Sequence, residues 1–321
     1  MIISFLRFPQ ASVKIFSNDI SHVSRDEVFL RNSTALHKPL IHFLLISFFL
    51  FFSISLSAVE LLKLKGFPSQ GCLLIGEIHE SVQRVYADGQ EITPHKERFL
   101  LGFDRDAELR HSITLVTSDG KVEEIQYFLN EYEYDVQRIE KVQKQYVEQP
   151  TDPHLQNRIY LESQTLQVVR QQMKQNIFCY TDGIFIRPVE KGWISSAFGG
   201  QRIINGVPQK PHNGIDIALP LGTAIRAMTS GVVALTGDYF YNGKFVLLDH
   251  GAGLSSIYLH MNDIHVRKGD YVKTGDKIGE VGSTGRSTGN HLHWGVNWFE
   301  HRINPELVLK TDEIFLKFIG K

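Results

Sequence analysis

Cysteine is nearly absent: two residues, Cys72 and Cys179, in a chain of 321. That excludes a disulfide-built scaffold and any cysteine-ligated metal centre. The two fall in different expected domains and read as buried thiols acting as small hydrophobes. A single bridge between them in an oxidising compartment is the alternative. An excess of one charge is also lacking. Lys plus Arg (34) offsets Asp plus Glu (35), so no net field draws the chain to nucleic acid or to an anionic membrane surface. No His-Glu-x-x-His motif occurs, which removes the helix-borne metal site with a glutamate base. Histidine is plentiful by contrast, at 14 residues, and directs attention to metal or proton chemistry.

One long apolar run is present, residues 40–56, LIHFLLISFFLFFSISL. Lys38, Arg31 and Arg25 precede it, and Ser55-Leu56-Ser57-Ala58 follows. Basic flank, apolar run and small-residue cleavage site are the order of a secretory signal, with cleavage after Ser57 or Ala58. The run is long for a signal core and just long enough to span a bilayer, so an uncleaved inner-membrane anchor is the alternative. Residues 1–58 are thus a leader. The rest of the chain is expected outside the cytoplasm, in the periplasm or cell envelope.

The fold expected beyond the leader is mainly β. Residues 61–149 show period-two apolar patterning, with Asp88-Gly89 and Asp119-Gly120 as hairpin tips between alternating strands. A small immunoglobulin-like sandwich is the expectation. His79, His95 and His111 are scattered within it and read as surface or hydrogen-bonding residues. Residues 150–181 start with Asp152-Pro153, an N-cap followed by proline at the first helical position. Leu155, Ile159, Leu166, Val169 and Met173 then recur at helical spacing, which predicts an amphipathic connector helix. Residues 182–310 return to short, glycine-framed strands, the pattern of an antiparallel β-sandwich or barrel. Residues 311–321 carry no readable role.

Within 182–310, His291-Leu292-His293 follows a glycine- and threonine-rich turn. On a strand the two imidazoles share a face while Leu292 enters the core. Upstream, His212 and Asp216 lie four apart and share a face on an extended chain. Two such pairs supply nitrogen and carboxylate ligands. Three of these leave a fourth tetrahedral position for water, the pattern of catalytic zinc. Spacing alone does not say which members ligate. The turn at 282–289 lacks the Lys-Ser/Thr ending of a phosphate-binding loop and leads into a strand, so that reading is rejected. His250, His265 and His301 read as structural or exposed. Arg202, Tyr239 and Tyr241 are candidates to wall a groove. Trp294 and Trp298 are balanced between packing and groove lining.

His212-x-x-x-Asp216, Tyr258-x-His260 and His291-x-His293 stand in the order and glycine-framed context of the LytM/lysostaphin-type zinc endopeptidases, which this segment resembles. Gly231-Val232-Val233, Asp249-His250-Gly251-Ala252-Gly253, Gly269-Asp270 and Gly282-x-Thr284-Gly285 belong to the same frame. The resemblance covers roughly 185–310, with a weaker likeness across 70–140 to envelope members. It implies a duplicated hybrid-motif catalytic domain and a zinc ion held by His212, Asp216 and His293. It further implies that His260 and His291 act on the water, and that the substrate is the peptide cross-link of bacterial peptidoglycan, in the D,D-endopeptidase sense. Some members of the family have lost their metal ligands and act as activators or scaffolds for other wall hydrolases. That is the alternative function, but all five site residues are present here. A biotinyl- or lipoyl-type carrier shares the Gly-Asp turn style but has no use for paired histidines.

Overall fold

The computed structural model describes residues 59–140, 150–173 and 184–320. The apolar run at 40–56 and Cys179 lie outside the described residues. Among the described residues no helix is long and apolar enough to cross a membrane.

The chain is mainly β, as its patterning predicts. Two four-stranded antiparallel sheets form the N-terminal part. The first contains β1 (Glu60–Lys65), β2 (Leu73–Ile78), β5 (Arg98–Gly102) and β21 (Ile314–Ile319), in the order β21-β1-β2-β5. The second contains β3 (Val82–Ala87), β4 (Gln90–Ile92), β6 (Arg110–Thr117) and β7 (Val122–Phe128), in the order β4-β3-β6-β7. The β3–β4 hairpin turns on Asp88 and Gly89, both with positive φ, as the two-residue turn requires. The β6–β7 turn differs from expectation. Only Gly120 has positive φ, and the Thr117 N–H donates to Lys121 O. A three-residue loop ending in a left-handed glycine closes this hairpin instead.

The run Leu73-Leu74-Ile75 explains how this part meets the rest of the chain. Leu74, with Phe99 and Leu101, packs into the core shared by the two sheets. Leu73, Ile75 and Leu100 face the other way and join the core of the C-terminal domain. Strands β2 and β5 of the first sheet are therefore buried on both faces, which is why β2 reads as a continuous apolar run rather than an alternating one. Gly102 lets the layers touch, because a Cβ there would meet Trp298 Cβ at 2.6 Å. The segment 311–321 also gains a role. Strand β21 pairs antiparallel with β1 and buries Leu316 in the N-terminal core, so the chain's last residues complete its first domain.

The C-terminal part is one ten-stranded sheet whose path starts at β17 (Tyr271–Val272) and continues β14-β15-β16-β19-β12-β9. Its members relevant to the site are β9 (Trp193–Ser196), β12 (Ile215–Ala218), β14 (Gly231–Tyr239), β15 (Gly243–Gly251), β16 (Leu254–Ile264) and β19 (His291–Trp298). A separate three-stranded unit joins β10 (Gln201–Ile204) to β11 (Val207–Pro208) and, in parallel, to β8 (Val136–Ile139). Helix α1 spans Pro153–Met173, and the His154 N–H donates to the Asp152 cap at 3.0 Å. Its Leu166, Val169 and Met173 pack on Phe245, Leu247, Ile257 and Leu259. Residues 174–181 of the expected connector lie outside the described residues.

Truncating Leu316 to alanine should lower stability in urea unfolding by about 2–4 kcal/mol, the cost of a core leucine. Lys317, half-exposed and 3.6 Å from Glu60, should cost under about 1 kcal/mol when truncated. Equal effects would contradict a packed β21.

Candidate metal centre

Register places the site. In the β12–β19 ladder, Asp216 stands opposite His293, flanked by Ile215↔Trp294 and Ile217↔Leu292. Alternation sends Ile215, Ile217, Leu292 and Trp294 into the core, each at most 1% exposed, and leaves Asp216 and His293 together on the other face. His291 lies on that same face. The row extends across four strands: Ser196 opposes Asp216, and Leu259 opposes His293.

His212 arrives differently from the expectation. It lies in the loop before β12, not on an extended run with Asp216. Two backbone bonds fold that loop over the strand: His212 N–H to Gly200 O at 3.0 Å, and Gly199 N–H to His212 O at 2.8 Å. Gly214 permits the approach, since a Cβ there would lie 2.4 Å from Trp294 O and 2.8 Å from His293 Nε2. The result is a tight triangle. His212 Nε2 is 3.0 Å from Asp216 Oδ1, His293 Nδ1 is 2.8 Å from the same oxygen, and the two nitrogens are 3.0 Å apart. Among the described residues, no other set of three or more His, Cys, Asp or Glu ligand atoms converges this closely.

His260 is the residue the alternation rule mislocates. Its neighbour Tyr258 is fully buried opposite Trp294, so a regular strand would send His260 into the same core. Instead His260 has φ +62°, the left-handed region that a non-glycine residue rarely adopts. The turn swings its ring to the ligand face, 4.7 Å centroid to centroid from His291 and 6.2 Å from His293. Strain of this kind is characteristic of functional positions.

Hydrogen bonds assign the tautomers. His212 Nδ1 lies 2.9 Å from Ala197 O, His260 Nδ1 2.8 Å from Thr284 O, and His291 Nδ1 2.8 Å from Gly289 O. A carbonyl can only accept, so each Nδ1 carries the proton and each Nε2 keeps its lone pair. For His212 that lone pair faces a carboxylate oxygen at 3.0 Å. A divalent metal set between the two would satisfy both, so the donor set fits such an ion. Burial pushes His293 down to about 4, offset in part by Asp216. Burial and the neighbouring His291 and His293 push His260 down to about 3. Both rings are neutral at pH 7 and available as ligand or base. Burial alone would raise Asp216, but the His212 and His293 imidazoles hold it well below the usual carboxylate range.

The other sequence candidates separate cleanly. His250 is buried beside Ser230 O and Ser256 Oγ and is pushed down to about 4 by burial. Trp294 is core. Trp298 is partly buried, donating Nε1 to Ala252 O. Tyr239 packs against α1, while Tyr241 lies under the Arg286 guanidinium, 5.2 Å away. His301 pairs with Asp104 at 2.7 Å, tying the two domains together. Arg202 does more than wall a groove: its Nη2 donates to Asp216 Oδ2. Ser196, whose Oγ lies 3.0 Å from the protonated His212 Nδ1 and can accept from it, gave no sequence signal. Its part follows from cross-strand register, which a single sequence does not reveal.

Comparison with known proteins converges on the same segment. Residues 210–305 match Peptidase family M23. The peptidoglycan DD-endopeptidase ShyA of Vibrio cholerae serotype O1 is 43% identical over 110 residues, 33% of this chain and 25% of that protein. The DD-carboxypeptidase/endopeptidase Mpg of Neisseria meningitidis serogroup B is 37% identical over 133 residues, 41% of this chain and 31% of that protein. The match therefore spans about a quarter to a third of these curated relatives. A crystal structure of a peptidase M23 from Pseudomonas aeruginosa superposes with a TM-score of 0.56 at 26% identity, covering 76% of this chain and 96% of that one. With fold, motif order and family match in agreement, the chain carries a Peptidase family M23 domain at residues 210–305.

Proposed function

We propose that this chain is an exported zinc endopeptidase that hydrolyses peptide cross-links in bacterial peptidoglycan, with D,D-bonds as its targets. The observation that carries this reading is the convergence of His212 Nε2, Asp216 Oδ1 and His293 Nδ1 within 3.0 Å of one another. The ShyA and Mpg relatives, by their names, support the substrate class. The basic-then-apolar leader supports export.

In this reading His212, Asp216 and His293 hold the metal. Bound zinc supplies Lewis acidity and lowers the pKa of its water to about 7. His260 and His291 present Nε2 lone pairs to the ligand face, each ring fixed by its Nδ1–H on a backbone carbonyl. Either can take the attacking water's proton and return it to the departing amine. No glutamate is needed for that step, because a neutral imidazole nitrogen carries the lone pair that accepts the proton.

The test is digestion of purified peptidoglycan, with fragments identified by mass and bound zinc measured in parallel. His212→Ala and Asp216→Ala should lose zinc and at least about 10³-fold in rate. His260→Ala and His291→Ala should retain zinc and lose about 10²–10⁴-fold. Undiminished cell-wall activity in the metal-free variants would overturn the proposal in favour of an activator.

The neutral buried histidines also fix a pH dependence. His250, His260 and His293 stay unprotonated down to about 4, 3 and 4 respectively. In the unfolded chain they take up protons near pH 6.5, so the unfolded state binds more protons through that window and stability rises with pH. The metal-stripped protein should therefore lose stability progressively from pH 7 to 4.5 in urea titrations. Each histidine contributes up to about 1.4 kcal/mol per pH unit. A flat profile would contradict the buried neutral state.

A further inference from the structure

Arg202 stands on β10, beyond the sheet that carries the metal ligands, yet its side chain reaches into the site and is only 15% exposed. Its Nη2 donates to Asp216 Oδ2 and to Ser196 Oγ, the latter at 2.6 Å. Ser196 Oγ in turn lies 3.0 Å from His212 Nδ1. Two of the three ligands are therefore gripped from behind by one small polar unit, Asp216 through Oδ2 and His212 through Nδ1. Their front atoms, Asp216 Oδ1 and His212 Nε2, are left 3.0 Å apart and facing each other.

This placement is expensive. Arg202 Nε is buried and has no hydrogen-bond partner among the described residues, and an orphaned buried donor forfeits its hydration without recompense. A guanidinium beside a cation site also opposes the cation by Coulomb repulsion. Against these stands a single Nη2 that bridges Asp216 Oδ2 and Ser196 Oγ, its bond to the carboxylate being charge-assisted and so among the stronger hydrogen bonds.

We propose that Arg202, bridged by Ser196, is a positioning residue that holds Asp216 by Oδ2 and thereby presents Oδ1, together with His212 Nε2, to the metal. This rests on the zinc reading of the site. The β10–β11 hairpin and the parallel strand β8 hold Arg202 in place, so the arm is anchored outside the main sheet.

The experiment is zinc affinity of the full chain, measured by competition with a chromophoric chelator, together with the visible spectrum of the cobalt-substituted protein. Arg202→Ala should weaken zinc binding by about 10–100-fold, the scale for losing such a supporting partner, and should shift the cobalt spectrum. At saturating zinc, kcat should fall while KM stays within about twofold, as for a residue that does not touch substrate. Arg202→Lys should recover part of the affinity, and Ser196→Ala should lose a smaller part. If Arg202→Ala fails to fold, as judged by its melting when chelated, these two variants decide. Unchanged or tighter zinc binding overturns the proposal, tighter binding being what charge repulsion alone predicts. Wild-type protein that binds no zinc would instead sink the functional reading itself. Stoichiometric wild-type zinc with unaltered variants would sink the positioning role only.

Discussion

Asp216 and His293 face each other across neighbouring antiparallel strands, and the rest of the site is arranged around that pair. The pairing is enforced by what lies beneath it. Ile215, Ile217, Leu292 and Trp294 fill the core side of the same two strands. A one-residue slip would turn those four outward and drive a carboxylate and an imidazole into hydrocarbon. Burying an unpaired charge there costs far more than the slip could return. The hydrophobic effect, acting on residues with no chemical role, is thus what holds the polar pair in register. The His212 loop, the left-handed turn at His260 and the Arg202 arm each bring a further side chain to that fixed centre.

Much of this was legible in the chain itself. His291-Leu292-His293 announces a strand with two imidazoles on one face and an aliphatic group in the core on the other, and the structure has that arrangement. The turn chemistry at Asp88-Gly89 and the helical stripe ending at Met173 were equally local and equally readable. What was not legible depends on contacts between distant segments. His212 meets Asp216 because Gly199 and Gly200 fold the loop back, not because of an extended spacing of four. His260 reaches the site only by breaking the alternation its sequence implies. Ser196 and Arg202 acquire meaning from strand neighbours that no periodicity specifies. The last residues looked like a featureless tail because their partner, β1, lies some 250 positions earlier.

The layers around the ten-stranded sheet share cores rather than linkers. Strands β2 and β5 of the first N-terminal sheet lie between the second sheet and the C-terminal domain, with Leu74 and Leu73 serving opposite sides. Helix α1 covers Ile257 and Leu259, and Leu259 lies directly opposite His293. The face that bears the histidines is therefore continuous with the face that the helix packs. His301 and Asp104, and Arg105 donating to Gly199 O, add polar ties between the domains close to the loop that carries His212.

The central claim is that three side chains from two strands and a loop close around a single divalent ion. Anomalous diffraction at the zinc edge, from crystals of the zinc-loaded protein, tests it most directly. The account predicts one peak at about 2.0–2.2 Å from His212 Nε2, an Asp216 oxygen and His293 Nδ1. A peak bonded instead to His260 or His291, or no peak at this site, would contradict it.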